Sequence, residues 1–185
     1  MKIKGAVLKA RINFIKKYFG EESLKRVLSS LPEEDAKILS EIIIPIAWYP
    51  FELGVRFDEA IVKVLGGSNL KIFEEIGATS ARENLSTVHR NFLEISDPEK
   101  FLEKTPVIYK FYYDTGYRTY EKINENEGII TTYESENYSS ADCLTVIGWY
   151  KEALKMCGAK FVEMEEEVCK AKGGPFCRYK VKFRK

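Results

Sequence analysis

Apolar residues recur at helical spacing near the start of the chain, where Val7, Leu8, Ile12, Ile15 and Phe19 form one stripe. Gly20, directly after it, is a C-terminal cap signal. The same reading predicts helices over 22–31, 33–44, 51–65, 69–94 with a break near Gly77, and 98–112. Pro32 and Pro98 fall in first-turn positions, where a missing N–H costs little. Asp97 is placed to cap the last helix. The segment AWYPFELG, 47–54, reads as a break, because Pro50 disfavours helix at Tyr49 and then starts the next one.

After Asp114 the period shortens. YRTYEKI (117–123) and GIITTYES (128–135) are β-branched and aromatic runs separated by NENE, the pattern of a hairpin. SSADCLTVIGWYKEALKMCG is then a helix, with Ser140 as its cap and Gly158 as its end. KFVEMEEEVC and FCRYKVKF form a second hairpin around the turn AKGGP. The expected fold class is α+β, an N-terminal helical bundle packed on an antiparallel sheet and finished by a metal-clipped hairpin. A single domain over 1–185 is expected, mainly helical over 1–113 and hairpin-helix-hairpin over 114–185.

Composition narrows the function classes. The 185 residues are 45% hydrophobic and 13% aromatic, enough for a substantial core. The 29 basic and 28 acidic residues nearly cancel, so no overall field draws the chain to nucleic acid or anionic lipid. Apolar runs such as IIIPIAW are too short to span a bilayer, and the N-terminus lacks a cleavage pattern, so a cytoplasmic protein is expected.

Chemistry gathers near the C-terminus. Cys143, Glu166, Cys169 and Cys177 supply three soft thiolates and a carboxylate, a donor set that suits a structural zinc. Reducing compartments favour metal over disulfides for clustered cysteines. Cys143 falls in the first turn of its helix, where unpaired amides favour thiolate. Cys169 and Cys177 close the ends of the last hairpin. A regular strand puts Glu167 on the face of Cys169, whereas a bulge near Glu167 or Val168 restores Glu166, and spacing alone leaves the two open. Cys157 reads as a small buried hydrophobe.

The stretch from Cys143 through GWYKEALKMCGAKFVEMEEEVCKAKGGPFCRYKV resembles the C-terminal half of the 4-vinyl reductase-type ligand-sensing domain. That family includes phenol and xylene sensor modules of bacterial transcription activators. Its fold is similar to the small TRAPP vesicle-tethering subunits and more distantly to haem nitric-oxide-binding domains. The E-x-x-C and C-x₇-C intervals match, which settles the carboxylate on Glu166. The resemblance implies a zinc ion, a homodimer formed through N-terminal helices, and an apolar cavity beside the metal for a small hydrophobic ligand. The phenol sensors hold their ligand with a His and a Trp. Here Trp149 sits within the zinc helix and Trp48 lies far upstream. The activators' ATPase and DNA-binding domains are absent, so the expectation is a stand-alone sensor or carrier with a downstream signalling protein in trans. The alternative is a TRAPP-like scaffold with no free ligand. No nucleophile–base pair, phosphate loop or dinucleotide fingerprint marks an enzyme.

For the ligand, the candidates are His89, Phe111, Tyr112 and Tyr120. His89 is the one histidine. It reads as a donor to a phenol-like ligand, as an axial haem ligand, or as a polar helix residue beside Arg90 and Asn91. The aromatic residues read equally as core packing or as a pocket lining.

Overall fold

A computed structural model describes residues 1–66, 70–87, 89–136 and 139–185. Asn69, the expected start of the fifth helix, and most of the GGS motif before it lie outside the described residues. The chain opens with β1 (Lys2–Lys4), which pairs antiparallel with β2 (Trp48–Pro50). The expected break at 47–54 is therefore partly a strand. Its cause is long-range: Phe51 N–H donates to the Met1 carbonyl at 3.1 Å and closes the ribbon.

The helical layer follows the apolar stripes. It contains α1 (Gly5–Phe19), α2 (Glu21–Ser29), α3 (Glu33–Ser40) and α4 (Phe51–Ile61), the last running into a π-helical turn at Val62–Gly66. Gly20 takes a φ of +85°, which lets the chain leave α1 and enter α2 at once. Then come α5 (Ile72–Leu85), a 3₁₀ turn at Arg90–Phe92, α6 (Pro98–Glu103) and α7 (Thr105–Tyr112). Asp97 caps α6, its side chain accepting from Lys100 N–H at 3.2 Å. The helix expected over 98–112 divides at Lys104 because Pro106 has no N–H to continue the ladder.

The helix expected over 69–94 ends at Leu85, which leaves His89 in a turn. It is not broken at Gly77. That glycine instead faces α8 (Ser140–Met156), where a Cβ would lie 2.1 Å from the Thr145 carbonyl oxygen. Gly148 returns the contact from α8, its missing Cβ leaving room for the Glu74 carbonyl. The two glycines bring α5 and α8 together backbone to backbone.

The second layer is an antiparallel sheet ordered β3-β4-β6-β5, from β3 (Tyr117–Asn124), β4 (Glu127–Tyr133), β5 (Phe161–Val168) and β6 (Cys177–Arg184). The acidic run Glu165–Glu167 lies on the edge strand, where charge discourages pairing with another chain. The register of β5 against β6 shifts between Glu166 and Val168. This bulge is the feature needed to turn Glu166 toward the side of Cys169. Ser139, one residue before the expected cap, caps α8 by accepting from Asp142 N–H. Phe73, Phe101, Tyr150, Tyr179 and Phe183 are fully buried between the layers. Among the described residues no helix is long and apolar enough to cross a membrane.

Candidate functional site

A cavity of about 50 Å³ lies where α1, α5, α7 and α8 meet the first strand of the sheet. Its walls are aromatic, with Tyr109, Tyr112 and Tyr113 from α7 and its end, and Trp149 and Tyr150 from α8. Into this apolar setting project two buried arginines. Arg11 occupies the middle of the α1 stripe and is 2% exposed, and Arg118 sits near the start of β3 at 6%. A guanidinium keeps its charge even when buried, so each must be compensated locally.

Arg11 is fully compensated. It forms a two-pronged pair with Asp58 of α4, Nε to Oδ1 at 2.5 Å and a terminal nitrogen to Oδ2 at 2.9 Å, and approaches Asp142 at 3.7 Å. Burial pushes its pKa down, but Asp58 and Asp142 outweigh that and leave it raised. Burial raises the Asp58 carboxyl, with Arg11 pulling the other way. The Tyr113 hydroxyl donates to Asp142 at 2.9 Å, and burial holds that phenol far above its ordinary range.

Arg118 is compensated differently. Its Nε donates to the Thr132 hydroxyl at 2.7 Å, and its guanidinium lies 4.8 Å from the Tyr109 ring centre and 5.8 Å from that of Tyr150. No carboxylate among the described residues pairs with it. Arg118, Thr132 and Cys177 stand in register across β3, β4 and β6, so the cavity and the cysteines share one row of the sheet.

The three expected cysteines do converge. The sulfurs of Cys143, Cys169 and Cys177 all lie within 4.8 Å of one another and are buried. Cys143 and Cys177 are 3.8 Å apart and Cys169 and Cys143 3.9 Å. The Cys177 thiol is pulled down by the hydrogen bond from Cys143, with Lys170 N–H donating at 3.4 Å, whereas that same contact and burial push Cys143 up. Glu166 stands beside the group without joining it. One carboxylate oxygen takes Lys172 Nζ at 2.6 Å, and Oε1 is buried with no partner. Its nearness to Cys169 adds to burial in raising that thiol. Three thiolates so placed can hold a soft cation. Cys157 is buried outside the group.

Of the four expected ligand residues, His89, Phe111 and Tyr112 are together. The Tyr112 hydroxyl meets His89 Nδ1 at 2.6 Å, and the Phe111 ring stands edge-on 4.5 Å from the imidazole. His89 is 5% exposed and lies in a turn after α5, not on a helix as its polar-helix reading had it. Tyr112 alone of the four lines the cavity. Tyr120 is elsewhere, its hydroxyl donating to Glu99 at 3.0 Å.

Compared with solved structures, the chain matches along nearly its whole length. The fold is that of the H-NOX domains. An H-NOX protein from K. algicida, in its Fe(II) unliganded form, superposes with a TM-score of 0.76 at 12% identity, covering 99% of this chain and 97% of that one. The S. oneidensis H-NOX protein in its Fe(II)NO state gives 0.72 at 11%, covering 99% and 100%. An oxygen-binding H-NOX domain related to soluble guanylate cyclases gives 0.73 at 13%, covering 99% and 96%. No family model matches the chain, and no curated protein matches it in sequence.

These neighbours correct the cofactor. Structural zinc was expected from the thiolate set, but solved structures of this fold are described by haem, porphyrin distortion and Fe(II) ligation. The hairpin is held by its own register and by bonds such as Gly174 N–H to the Cys169 carbonyl at 2.9 Å. A core of this size needs no metal staple.

A haem, which the fold suggests, does not fit the residues present. The cavity of about 50 Å³ is several-fold below the roughly 300–1,000 Å³ of ordinary ligand clefts. His89, the candidate axial ligand, does not line it, and its ring is held between Tyr112, Phe92 and Phe111.

The polar residues that give the cavity its character, Arg11, Asp58, Asp142 and Arg118, were not foreseen. A signal existed for the first. Arg11 lies four residues from both Val7 and Ile15 and interrupts an apolar stripe. A charge there must be buried with a partner or leave the helix unpacked.

Proposed function

We propose that this chain is a non-enzymatic small-molecule-sensing module that takes its ligand in the aromatic cavity between the helices and β3, without haem. The observation that carries the reading is that cavity, set at the junction of both layers of a sensor fold and supplied with a buried cation. The ligand is small, because the space holds only a few heavy atoms at 10–15 Å³ or more for each water-sized one. Tyr112 couples the site to the rest of the helical layer. One side of its ring faces the cavity, while its hydroxyl holds His89 in the turn after α5.

Trp149 lines the cavity and provides the readout. In a Trp48→Phe background, a panel of small solutes should include some that change Trp149 fluorescence and raise the melting temperature together. A panel that leaves both unmoved removes the reading.

The assignment to the 4-vinyl reductase-type branch rests on the convergence of Cys143, Cys169 and Cys177 and on the bulge that turns Glu166 toward them. We assign these four residues as a soft-cation site whose occupant is open. Cobalt(II) titration tests it: a thiolate-to-cobalt charge-transfer band at one equivalent supports the site, and its absence removes the assignment. A homodimer is supported by the exposed apolar loop after α3, where Ile42 is 90% and Ile46 72% exposed.

A further inference from the structure

Two groups on the cavity wall hold donors that no acceptor among the described residues takes. Among the described residues, Arg118 spends only Nε, on Thr132, and nothing accepts from its two outer nitrogens. A guanidinium has five N–H donors in a planar fork. The Tyr150 hydroxyl, on the α8 wall, is buried with no hydrogen-bond partner. Tyr109 does not fill the gap, because its hydroxyl donates to the Thr115 carbonyl at 2.8 Å. The neighbouring acceptors are engaged: Asp58 and Asp142 serve Arg11 and Tyr113, and Cys177 accepts from Lys170. A buried donor without an acceptor costs about 1–3 kcal/mol, and the Tyr150 hydroxyl is one; the outer nitrogens of Arg118 add an unspent charged fork beside it.

We propose that the cavity binds a small planar oxyanion, a carboxylate or an anion of its size, accepted by the Arg118 fork and the Tyr150 hydroxyl. A planar anion matches the fork two oxygens to two nitrogens, and the low-dielectric walls strengthen the pairing. The volume of about 50 Å³ suits three or four heavy atoms, the size of formate, acetate or nitrate. The aromatic rings of Tyr109 and Trp149 leave a short apolar substituent in contact with carbon. Arg11 cannot serve in place of Arg118, since both its prongs are held by Asp58. The inference rests on the cavity being the ligand site, and it names the ligand's chemistry.

Acetate against its neutral isostere acetamide is the direct test, with formate, nitrate and xenon as further probes and Trp149 fluorescence and melting temperature as readouts. Saturable binding of acetate, formate or nitrate that acetamide and xenon do not reproduce is the expected result. Tyr150→Phe, which removes only the orphaned hydroxyl, should weaken anion binding about 10-fold, as for loss of a bond to a charged partner. Arg118→Met should abolish it. Should Arg118→Met fail to fold, Tyr150→Phe decides alone, and unchanged anion affinity in that variant overturns the inference. If acetamide or xenon binds and no oxyanion does, the cavity is a ligand site and the oxyanion inference falls. If no probe binds, the ligand-site reading falls as well.

Discussion

Replacing Gly148 by alanine tests whether the direct contact of α5 with α8 organises the fold. An alanine in a helix interior is normally stabilising by about 1 kcal/mol over glycine. Here the added Cβ would lie 1.9 Å from the Glu74 carbonyl oxygen and 2.6 Å from its carbonyl carbon, both backbone atoms that no rotamer change can move. Ordinary contact begins near 3.4 Å, so the helices must separate by roughly 1.5 Å. A radial gap of about 0.5–1 Å already forfeits a quarter to a half of a dispersion contact. Gly77, one turn along α5, is just as tightly placed against Thr145, so the crossing cannot pivot to make room. Overpacking of this kind costs about 3 kcal/mol at the upper end of its usual range, and the propensity gain returns about 1. Net destabilisation of about 2 kcal/mol is expected. Urea unfolding followed by far-UV circular dichroism measures it, with m unchanged if the native state stays compact. An alanine variant as stable as the parent, or more stable, would refute the backbone-to-backbone crossing.

Other consequences are equally direct. Arg11→Leu strands Asp58 and should cost about 3–5 kcal/mol, whereas Arg11→Leu with Asp58→Leu should recover a large part of it, read from a double-mutant cycle. Burial lowers the pKa of His89, so just below its ordinary value of 6.5 the unfolded chain binds the proton that the folded chain refuses. Stability should therefore rise with pH through that window, by at most about 1.4 kcal/mol per unit, and His89→Gln should flatten the slope. All four cysteines are buried, so a thiol reagent such as dithionitrobenzoate should react slowly with native protein and with all four thiols in denaturant. Any self-association seen by light scattering should be lost in Ile42→Glu with Ile46→Glu.

Much of the fold was legible because its signals are local. Gly20 and Gly158 end helices through a positive φ and Asp97 begins one through its side chain, and the strands of the sheet follow β-branched and aromatic runs. What escaped depends on distant partners. No periodicity in three residues announces β1, whose Lys2–Lys4 is a strand only because Trp48–Pro50 lies beside it. Gly77 carries the same ambiguity, since a glycine in a helical pattern signals either a break or a close approach. Only the position of α8 decides which.

The site divides along the same line. The three cysteines were found from spacing because soft donors within a hairpin and at a helix start have few other reasons to cluster. That strong signal drew the chemistry toward a metal, while the cavity is defined by residues whose types are common and whose separations in sequence are large. Arg118 lies in YRTYEKI, where a strand's alternation gives it one face or the other with equal ease. It is burial against Tyr109 and Tyr150 that turns it from a surface charge into a buried donor. The register that places Arg118, Thr132 and Cys177 in one row has a consequence for both sites. The Arg118 charge helps hold Cys177 toward thiolate, though less than Cys143 does. An anion accepted by Arg118 would offset that charge and make the Cys177 thiolate harder to form.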